Sequence, residues 1–328
     1  MTLLTYAANP ENIFGFDQVR YQFVHGDIAD RSVVHKALEV NTDAIINFAA
    51  ESHVDRSIAS ADEFLRTNIV GTQVLLDAAR ERGVRRFVQV STDEVMGTLP
   101  EDDDAFFKES SPFAPNSPYA ASKAAAEHLV RAAHHTHGLD TVITRCGNNY
   151  GPRQFPEKLI PLLLSNAMND EPIPVYGDGR NVRDWIYVDD HCRAIMLALE
   201  KGRAGETYNI RARNARQNLE IVESILDILE KPRSLIRYVK DRPGHDRRYA
   251  IDPTKVETEL GWRPKETWES GLRKTIQWYA ENTEWIARAR SGAYRSITRS
   301  STARRLGQLE GSYYRCRRHG GACRCDPL

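Results

Sequence analysis

Short apolar runs alternate with helical patterns through the first half of this chain, and this alternation constrains the fold more than any other feature. Apolar runs lie at 20–24, 44–48, 86–90 and 141–145, and helical patterns separate them at 33–38, 61–82 and 117–138. Buried strands that are separated by helices form parallel β-α-β crossovers, with helices on both faces of the sheet. The sequence therefore predicts an α/β fold with a doubly wound, Rossmann-like parallel sheet.

The second half of the chain has shorter elements and predicts a smaller lobe. Its helical patterns lie at 157–168, 190–199, 218–230 and 267–282, and its strands at 173–176 and 207–210. We expect a Rossmann-like domain at 1–150 with parts of 177–215, a smaller C-terminal lobe mainly at 151–296, and a tail at 297–328. The cleft between the two lobes is the expected ligand site.

The charges of the chain cancel, with 45 basic and 45 acidic residues, but they are unevenly distributed. Residues 288–328 contain ten arginines against Glu310 and Asp326, a balance of +8. The order Cys316, His319, Cys323, Cys325 matches no usual zinc pattern, so we expect no metal site. An Arg/Cys-rich disordered extension, or readthrough from an altered reading frame, accounts better for the tail.

Cysteine usage and hydropathy bound the compartment and the partners. Cys146 and Cys192 are the only cysteines in the main body, so we expect no disulfide framework. This cysteine usage indicates a reducing cytoplasm. No apolar run is long enough to cross a bilayer. We therefore expect a cytoplasmic protein with neither a membrane nor a nucleic-acid partner.

A helix that carries two candidate catalytic side chains is predicted after Ser117. Ser117 suits the N-cap and Pro118 the first helical position. Tyr119 and Lys123 are four residues apart and therefore share one face of this helix. A fixed cation beside a phenol lowers its pKa and makes it a proton acceptor for an alcohol. The alternative is an ordinary helix that exposes one tyrosine and one lysine.

Polar clusters follow the predicted strands at Asp27-Ile28, at 49–52 and at 91–94. In a doubly wound sheet, ligands bind beyond the carboxyl ends of the strands. Asp93 and Glu94 place two adjacent carboxylates there, and one of such a pair can stay protonated while the other is ionised. That arrangement supplies one acid and one base for an elimination. The alternative is that both residues cap a loop or the next helix.

These motifs together resemble the extended short-chain dehydrogenase/reductases and, within them, the nucleotide-sugar 4,6-dehydratases. The Asp93-Glu94 pair after Thr92 separates this group from the related sugar epimerases and decarboxylases. The matching stretches cover nearly all of residues 4–295 and are 4–7, 25–28, 48–57, 67–72, 91–95, 117–119 with 122–123, 148–152, 155–161, 183–185 and 241–246.

The resemblance implies a reaction on a nucleotide-activated glucose such as dTDP-glucose, with tightly held NAD. Tyr119, assisted by Lys123 and Thr92, takes the proton of the C4 hydroxyl during oxidation at C4. Glu94 then removes the C5 proton, and Asp93 protonates the departing C6 hydroxyl. Reduction at C6 gives a 4-keto-6-deoxy sugar and regenerates NAD.

The resemblance also assigns binding residues and a homodimer. The two subunits would meet through the helices at 61–82 and 117–138, whose apolar content exceeds what one sheet face covers. The implied NAD contacts are Asp27, Ile28, Ala49, Ala50, Thr67, Tyr119, Lys123 and Asn149. The implied contacts to the nucleotide sugar are Ser52, Thr92, Asn148, Lys158, Leu159, Tyr176, Arg183, Asn218, Arg242 and His245.

The chain departs from the family pattern at its start, where the first strand, the glycine-rich turn and the first helix are not found. Thr2 stands where the family has its ribose-binding acid. We therefore expect the first β-α unit to be missing and NAD to bind weakly, because backbone amides at a helix N-terminus normally hold the pyrophosphate. The alternative functions are a related nucleotide-sugar epimerase or decarboxylase, and an inactive remnant that binds nucleotide sugar or a homologous subunit. Met96 replaces a usual tyrosine, and Arg211-Ala212 replace small glycines.

Overall fold

The computed structural model describes residues 1–13, 17, 21–38, 42–100, 105–241 and 245–292. The tail at 297–328 and Arg242 lie outside the described residues. The strands are β1 (Ala44–Asn47), β2 (Arg86–Thr92), β3 (Thr141–Cys146), β4 (Asn148–Tyr150), β5 (Ile173–Tyr176), β6 (Val182–Tyr187), β7 (Thr207–Ile210), β8 (Ala215–Gln217) and β9 (Ile236–Val239).

The α-helices of the described residues frame this sheet and the second lobe. They are α1 (Arg31–Ala37), α2 (Val54–Ala59), α3 (Asp62–Phe64), α4 (Thr72–Arg82), α5 (Pro118–His137), α6 (Leu159–Met168), α7 (Val188–Lys201), α8 (Asn218–Ile228), α9 (Thr254–Glu259), α10 (Trp268–Glu281) and α11 (Thr283–Ser291). None of these helices is long and apolar enough to cross a bilayer.

The main sheet is parallel, with strand order β1-β2-β3-β7. Its register aligns Asn47 with Gln89 and Thr92 with Cys146, so the carboxyl ends of the central strands lie side by side. Residues of α1, α4 and α5 pack on one face of the sheet, and residues of α7 and α9 pack on the other. This confirms the predicted α/β fold with a doubly wound parallel sheet.

The second lobe has a separate core around an aromatic cluster. Tyr150, Trp185 and Trp268 lie with ring centroids 5.2–6.4 Å apart, and side chains of α6, α8 and α10 complete the core. Two small sheets frame this lobe, β4-β6-β8 and β5-β9. The lobe therefore rests on its own buried apolar cluster.

Two predicted elements differ from the structure. The strand predicted at 20–24 is not found at the described residues 21–24, and the neighbouring His25 forms one parallel bridge with Thr2. The helix predicted at 61–82 is present, but its centre is a π-helix, Leu65–Gly71, joining α3 to α4. A π-turn widens the helix by one residue and is common at functional sites.

Candidate active site

The carboxyl end of β2 carries the central acidic residues. The strand passes directly into a short 3-10 helix, Asp93–Met96, and Thr92 caps it by accepting a hydrogen bond from the Glu94 amide at 3.3 Å. Asp93 and Glu94 are the first residues of this helix and Thr92 is its cap, so the alternative that the two acids serve as caps is not what the structure has. Asp93 is nevertheless only 2% exposed, and one of its carboxylate oxygens has no hydrogen-bond partner.

Burial governs the protonation of Asp93. Desolvation, followed by the charge of Glu94, raises the pKa of the Asp93 carboxyl to about 8, and the nearby Arg183 guanidinium only partly opposes this. A carboxyl with that pKa is protonated at neutral pH and can donate its proton. The structure thus places a neutral acid directly beside a second carboxylate.

Helix α5 brings Tyr119 and Lys123 to the same place. Ser117 caps the helix by accepting from the Ala120 amide at 3.1 Å, and Pro118 is its first residue, as the sequence predicts. Both Tyr119 and Lys123 are buried. The alternative of an ordinary helix that exposes this pair is therefore wrong.

The expected effect of Lys123 on Tyr119 is not observed. Burial, followed by the negative charge of Glu94, raises the pKa of the Tyr119 phenol well above its usual value, and a hydrogen bond with Thr92 opposes the rise. The Lys123 ammonium donates instead to the Val90 carbonyl at 2.7 Å, and burial lowers the pKa of this ammonium to about 8. The phenol pKa is therefore raised in this structure and not lowered as predicted, because burial and the nearby charge of Glu94 both disfavour the phenolate.

Asn68, which sequence reasoning did not single out, joins the π-helix to the active site. Its side-chain amide donates to the Glu51 carbonyl at 3.0 Å and to the Ser122 hydroxyl at 2.8 Å, and its oxygen accepts from the Glu51 amide at 2.9 Å. Asn68 thereby holds the loop after β1 against the helix that carries Tyr119. Its only sequence signal was its place beside Thr67 in a matching stretch.

A second polar network surrounds Asn149. The Asn149 side-chain oxygen lies 2.8 Å from His191 Nδ1, and its amide nitrogen donates to Cys146 Sγ at 3.4 Å. Burial lowers the pKa of His191 to about 4 and, with the charge of Asp93, raises the pKa of the Cys146 thiol to about 12. Both side chains are neutral near pH 7, so the network fixes the Asn149 amide without placing a charge there. His191 was not predicted from the sequence.

The residues expected at the adenosine end of NAD line one edge of the sheet. The Asp27 carboxylate accepts from the Ala29 amide at 2.8 Å and pairs with Arg66 at 2.8 Å. Ile28 is buried against Gly71 so closely that a Cβ at Gly71 would lie 2.5 Å from the Ile28 side chain.

The residues expected nearer the nicotinamide end lie on three segments, which are the loop after β1, the π-helix and α5. Ala49 and Ala50 follow β1 as half-buried small residues, Thr67 lies half-buried in the π-helix, and Lys123 supplies a buried ammonium. Small side chains beside a buried donor suit a flat ring and a ribose. The donor set therefore fits the two ends of a dinucleotide, and no glycine-rich turn feeds a helix N-terminus within the described parts of the chain.

The residues expected to bind the sugar nucleotide fall into two groups. Ser52 and Lys158 meet directly, because the Lys158 ammonium donates to the Ser52 carbonyl at 3.1 Å, and Leu159 follows as the first residue of α6. Asn148 pairs with Trp185 between β4 and β6. Asn148 follows Gly147, whose Cβ position lies 3.4 Å from an Asp93 carboxylate oxygen.

Arg183 belongs to the interior of the site. Its guanidinium donates to the Asp246 carbonyl at 2.8 Å and lies 4.4 Å from the centre of the Tyr249 ring. The residue is 5% exposed, so the alternative of a solvated surface arginine is wrong. Its charge lowers the pKa of Asp93, which places it close to the acid.

The remaining predicted sugar-nucleotide residues lie further along the second lobe. Tyr176 ends β5 with its ring 41% exposed, and Asn218 begins α8 with a buried side-chain oxygen that has no partner. His245 Nδ1 lies 2.7 Å from the Asp241 carboxylate.

Comparison with known proteins shows which family this chain belongs to. The sequence profile of the GDP-mannose 4,6 dehydratase family matches residues 2–275. A dTDP-glucose 4,6-dehydratase of Xanthomonas campestris pv. campestris is 52% identical, with 89% of this chain and 88% of that protein covered. The Salmonella typhimurium enzyme of the same name is 48% identical over the same shares.

Among the solved structures, a dehydratase is more similar to this chain than an epimerase is. A dTDP-glucose 4,6-dehydratase from Streptomyces venezuelae, crystallised with NAD, is 51% identical with a TM-score of 0.84, covering 87% of this chain and 88% of that one. A UDP-glucose 4-epimerase from Thermotoga maritima, with UDP-glucose, is 28% identical with a TM-score of 0.75, covering 83% and 90%. The acidic pair at the end of β2 agrees with this closer likeness to dehydratases. The chain belongs to the GDP-mannose 4,6 dehydratase family, within which it groups with the dTDP-glucose 4,6-dehydratases.

Proposed function

We propose that this chain is an NAD-dependent dTDP-glucose 4,6-dehydratase, a hydro-lyase that forms the 4-keto-6-deoxy sugar. The observation that carries the proposal is the buried Asp93 carboxyl beside Glu94 at the end of β2, together with the buried pair Tyr119 and Lys123 on α5. An epimerase has no need of an acid for a leaving hydroxyl, whereas a dehydration requires one. The identities of 48–52% to dehydratases support the same assignment.

Each catalytic side chain has a role that fits its environment. Tyr119 takes the C4 hydroxyl proton, Thr92 hydrogen-bonds to the phenol, and Lys123 holds a positive charge nearby. Glu94 is half-buried and removes the C5 proton once C4 is a ketone. Asp93 donates its proton to the C6 hydroxyl, which leaves as water.

NAD supplies the hydride acceptor and donor for this cycle, and its oxidised ring adds a positive charge that favours the Tyr119 phenolate. Asp27 and Ile28 would hold the adenine. Ala49, Ala50 and Thr67 would line the ribose and nicotinamide, and Asn149, fixed by His191, would hydrogen-bond beside Tyr119 and Lys123. These residues would hold the adenine and nicotinamide ends of NAD.

The sugar nucleotide is proposed to lie along the cleft toward the second lobe. Ser52, Thr92 and Asn148 surround the sugar, Lys158, Leu159 and Arg183 lie at the diphosphate, and Tyr176, Asn218 and His245 extend to the base. Arginine and lysine suit a diphosphate because they give charge-assisted hydrogen bonds. This division makes 1–150, with parts of 177–215, the cofactor domain and 151–296 mainly the substrate lobe.

A homodimer through the α3–α4 and α5 helices is part of the proposal. Ile58, Leu65 and Val70 on this side of the molecule are 44–49% exposed, an unusual density of exposed large apolar side chains. Cys146 and Cys192 are free thiols, which suits a cytoplasmic location.

The test is direct. The purified chain with NAD and dTDP-glucose should form a 4-keto-6-deoxy product with loss of the C6 oxygen as water. Formation of a C4 epimer, with the C6 oxygen kept, would assign the chain to the epimerase class. Binding of dTDP-glucose without any turnover would support the inactive remnant.

A further inference from the structure

Glu157, which precedes α6, contacts two segments of the Rossmann-like domain. One carboxylate oxygen accepts the Tyr6 hydroxyl at 2.8 Å, across 151 residues of sequence. The other lies 3.8 Å from His53 Nε2. The His53 and Glu157 side chains are 22% and 21% exposed, so both contacts are largely shielded from water.

The Tyr6 ring is held on two sides. The Arg56 guanidinium lies 3.5 Å from the ring centroid, and Phe155 meets the ring edge-on with centroids 6.2 Å apart. Cation–π and edge-to-face contacts restrict the ring, so its hydroxyl has a defined direction. That direction ends at Glu157.

The next residue makes a parallel connection. Lys158 donates to the Ser52 carbonyl at 3.1 Å, so two consecutive residues before α6 reach two consecutive residues before α2. Ser52 and Lys158 are both on the proposed path of the sugar nucleotide. Any displacement of Glu157 would therefore move the two walls of that path relative to one another.

We propose that Glu157 is a positioning residue for the sugar nucleotide: through Tyr6 and His53 it holds Lys158 and Leu159 at the spacing from Ser52 that the diphosphate sugar requires. Glu157 itself does not contact the substrate. The inference rests on the proposed function, because the spacing matters only if the sugar nucleotide occupies this path.

Binding of dTDP to the full chain, measured by calorimetry, tests the proposal. Glu157→Ala should weaken the affinity by about tenfold, the effect of losing one charge-assisted hydrogen bond. Glu157→Gln should keep most of the affinity, because its amide oxygen still accepts the Tyr6 hydroxyl. Tyr6→Phe should weaken binding, and Glu157→Ala should cause less further loss in that background than in the unaltered chain, because the two residues act through one contact.

In turnover, Glu157→Ala should raise KM for dTDP-glucose and leave kcat unchanged, a split that general loss of stability does not produce. The matched control is Glu171→Gln, because Glu171 pairs with Arg290 at 2.9 Å beyond the other end of α6. Equal dTDP affinity in folded Glu157→Ala and the unaltered chain, or an equal loss in Glu171→Gln, would overturn the inference. Failure of the unaltered chain to bind dTDP would instead overturn the proposed function.

Discussion

The Lys123 ammonium donates a hydrogen bond to the Val90 carbonyl at 2.7 Å, and so ties helix α5 to the central strand β2. Val90 lies two residues before Thr92, so this bond fixes the helix that carries Tyr119 against the strand that delivers Asp93. Lys123 is buried and Val90 is half-buried, so the bond is partly shielded from water, which strengthens it. The relative positions of phenol and acid are therefore set by backbone as well as by side chains.

The first prediction separates the two proton transfers. Glu94→Gln should stop the reaction after oxidation at C4, because no base remains for the C5 proton, and reduced nicotinamide should accumulate on the protein. Tyr119→Phe should prevent its appearance, because oxidation never begins. Single-turnover absorbance of the reduced cofactor measures both, and equal accumulation in the two variants would refute the assigned roles.

The second prediction concerns the pH dependence of stability. Since the folded protein raises the pKa of Asp93 from 3.8 to about 8, it binds a proton that the unfolded chain releases. The stability that this proton contributes is fully present below pH 3.8 and is lost as the pH rises through about 8. Asp93→Asn should therefore raise the thermal midpoint near pH 8 and have little effect near pH 4.

A series of thermal midpoints between these pH values checks the second prediction, with Asp170→Asn as control because Asp170 is an exposed partner of Lys231. A midpoint difference that does not change with pH would contradict it. Activity should behave in the same sense: the acid form of Asp93 is lost above pH 8, so dehydration should slow there.

The sequence was sufficient for the features that depend on periodicity and capping. The alternation of runs predicted β1, β2, β3 and β7, and Ser117 with Pro118 predicted the start of α5. The sequence also placed Asp93 and Glu94 at the carboxyl end of β2, where ligands bind in such a sheet, and the structure has them there.

The sequence was insufficient where several distant segments decide the outcome. The protonation of Tyr119 depends on how completely α5, β2 and Phe64 bury it, which no local spacing shows. The π-helix and the role of Asn68 depend on where Ser122 and Glu51 come to lie. Short strands such as β8 form only because β6 offers a partner edge.

The third prediction concerns a buried ion pair behind the active site. Arg145 on β3 and Glu127 on α5 pair at 2.7 Å with side chains only 4% and 2% exposed, and Arg145 also donates to the Glu109 carbonyl at 3.2 Å. Glu127→Ala would leave a buried charge unpaired, so it should cost about 3–5 kcal/mol of unfolding free energy. Urea denaturation measures the loss.

Glu284→Ala is the control for that pair, because Glu284 meets Arg288 at the surface with a side chain 90% exposed. It should cost about 0–1 kcal/mol. Similar losses in the two variants would show that the pair behind Lys123 is solvated in solution.

The last prediction uses two glycines to test the adenine end of the cofactor site. A Cβ at Gly71 would lie 2.5 Å from the side chain of Ile28, which is buried and cannot move away freely. Gly71→Ala should cost about 1–3 kcal/mol of unfolding free energy by overpacking and should weaken NAD binding, because Ile28 is displaced.

Gly138→Ala offers a matched change: Gly138 caps α5 at φ 67°, and nothing lies within 4 Å of its Cβ position. That variant should cost about 1 kcal/mol through left-handed backbone strain and leave NAD affinity unchanged. Titration of NAD against each folded variant decides between them, since an equal fall in affinity would show that lost stability, and not the position of Ile28, controls cofactor binding.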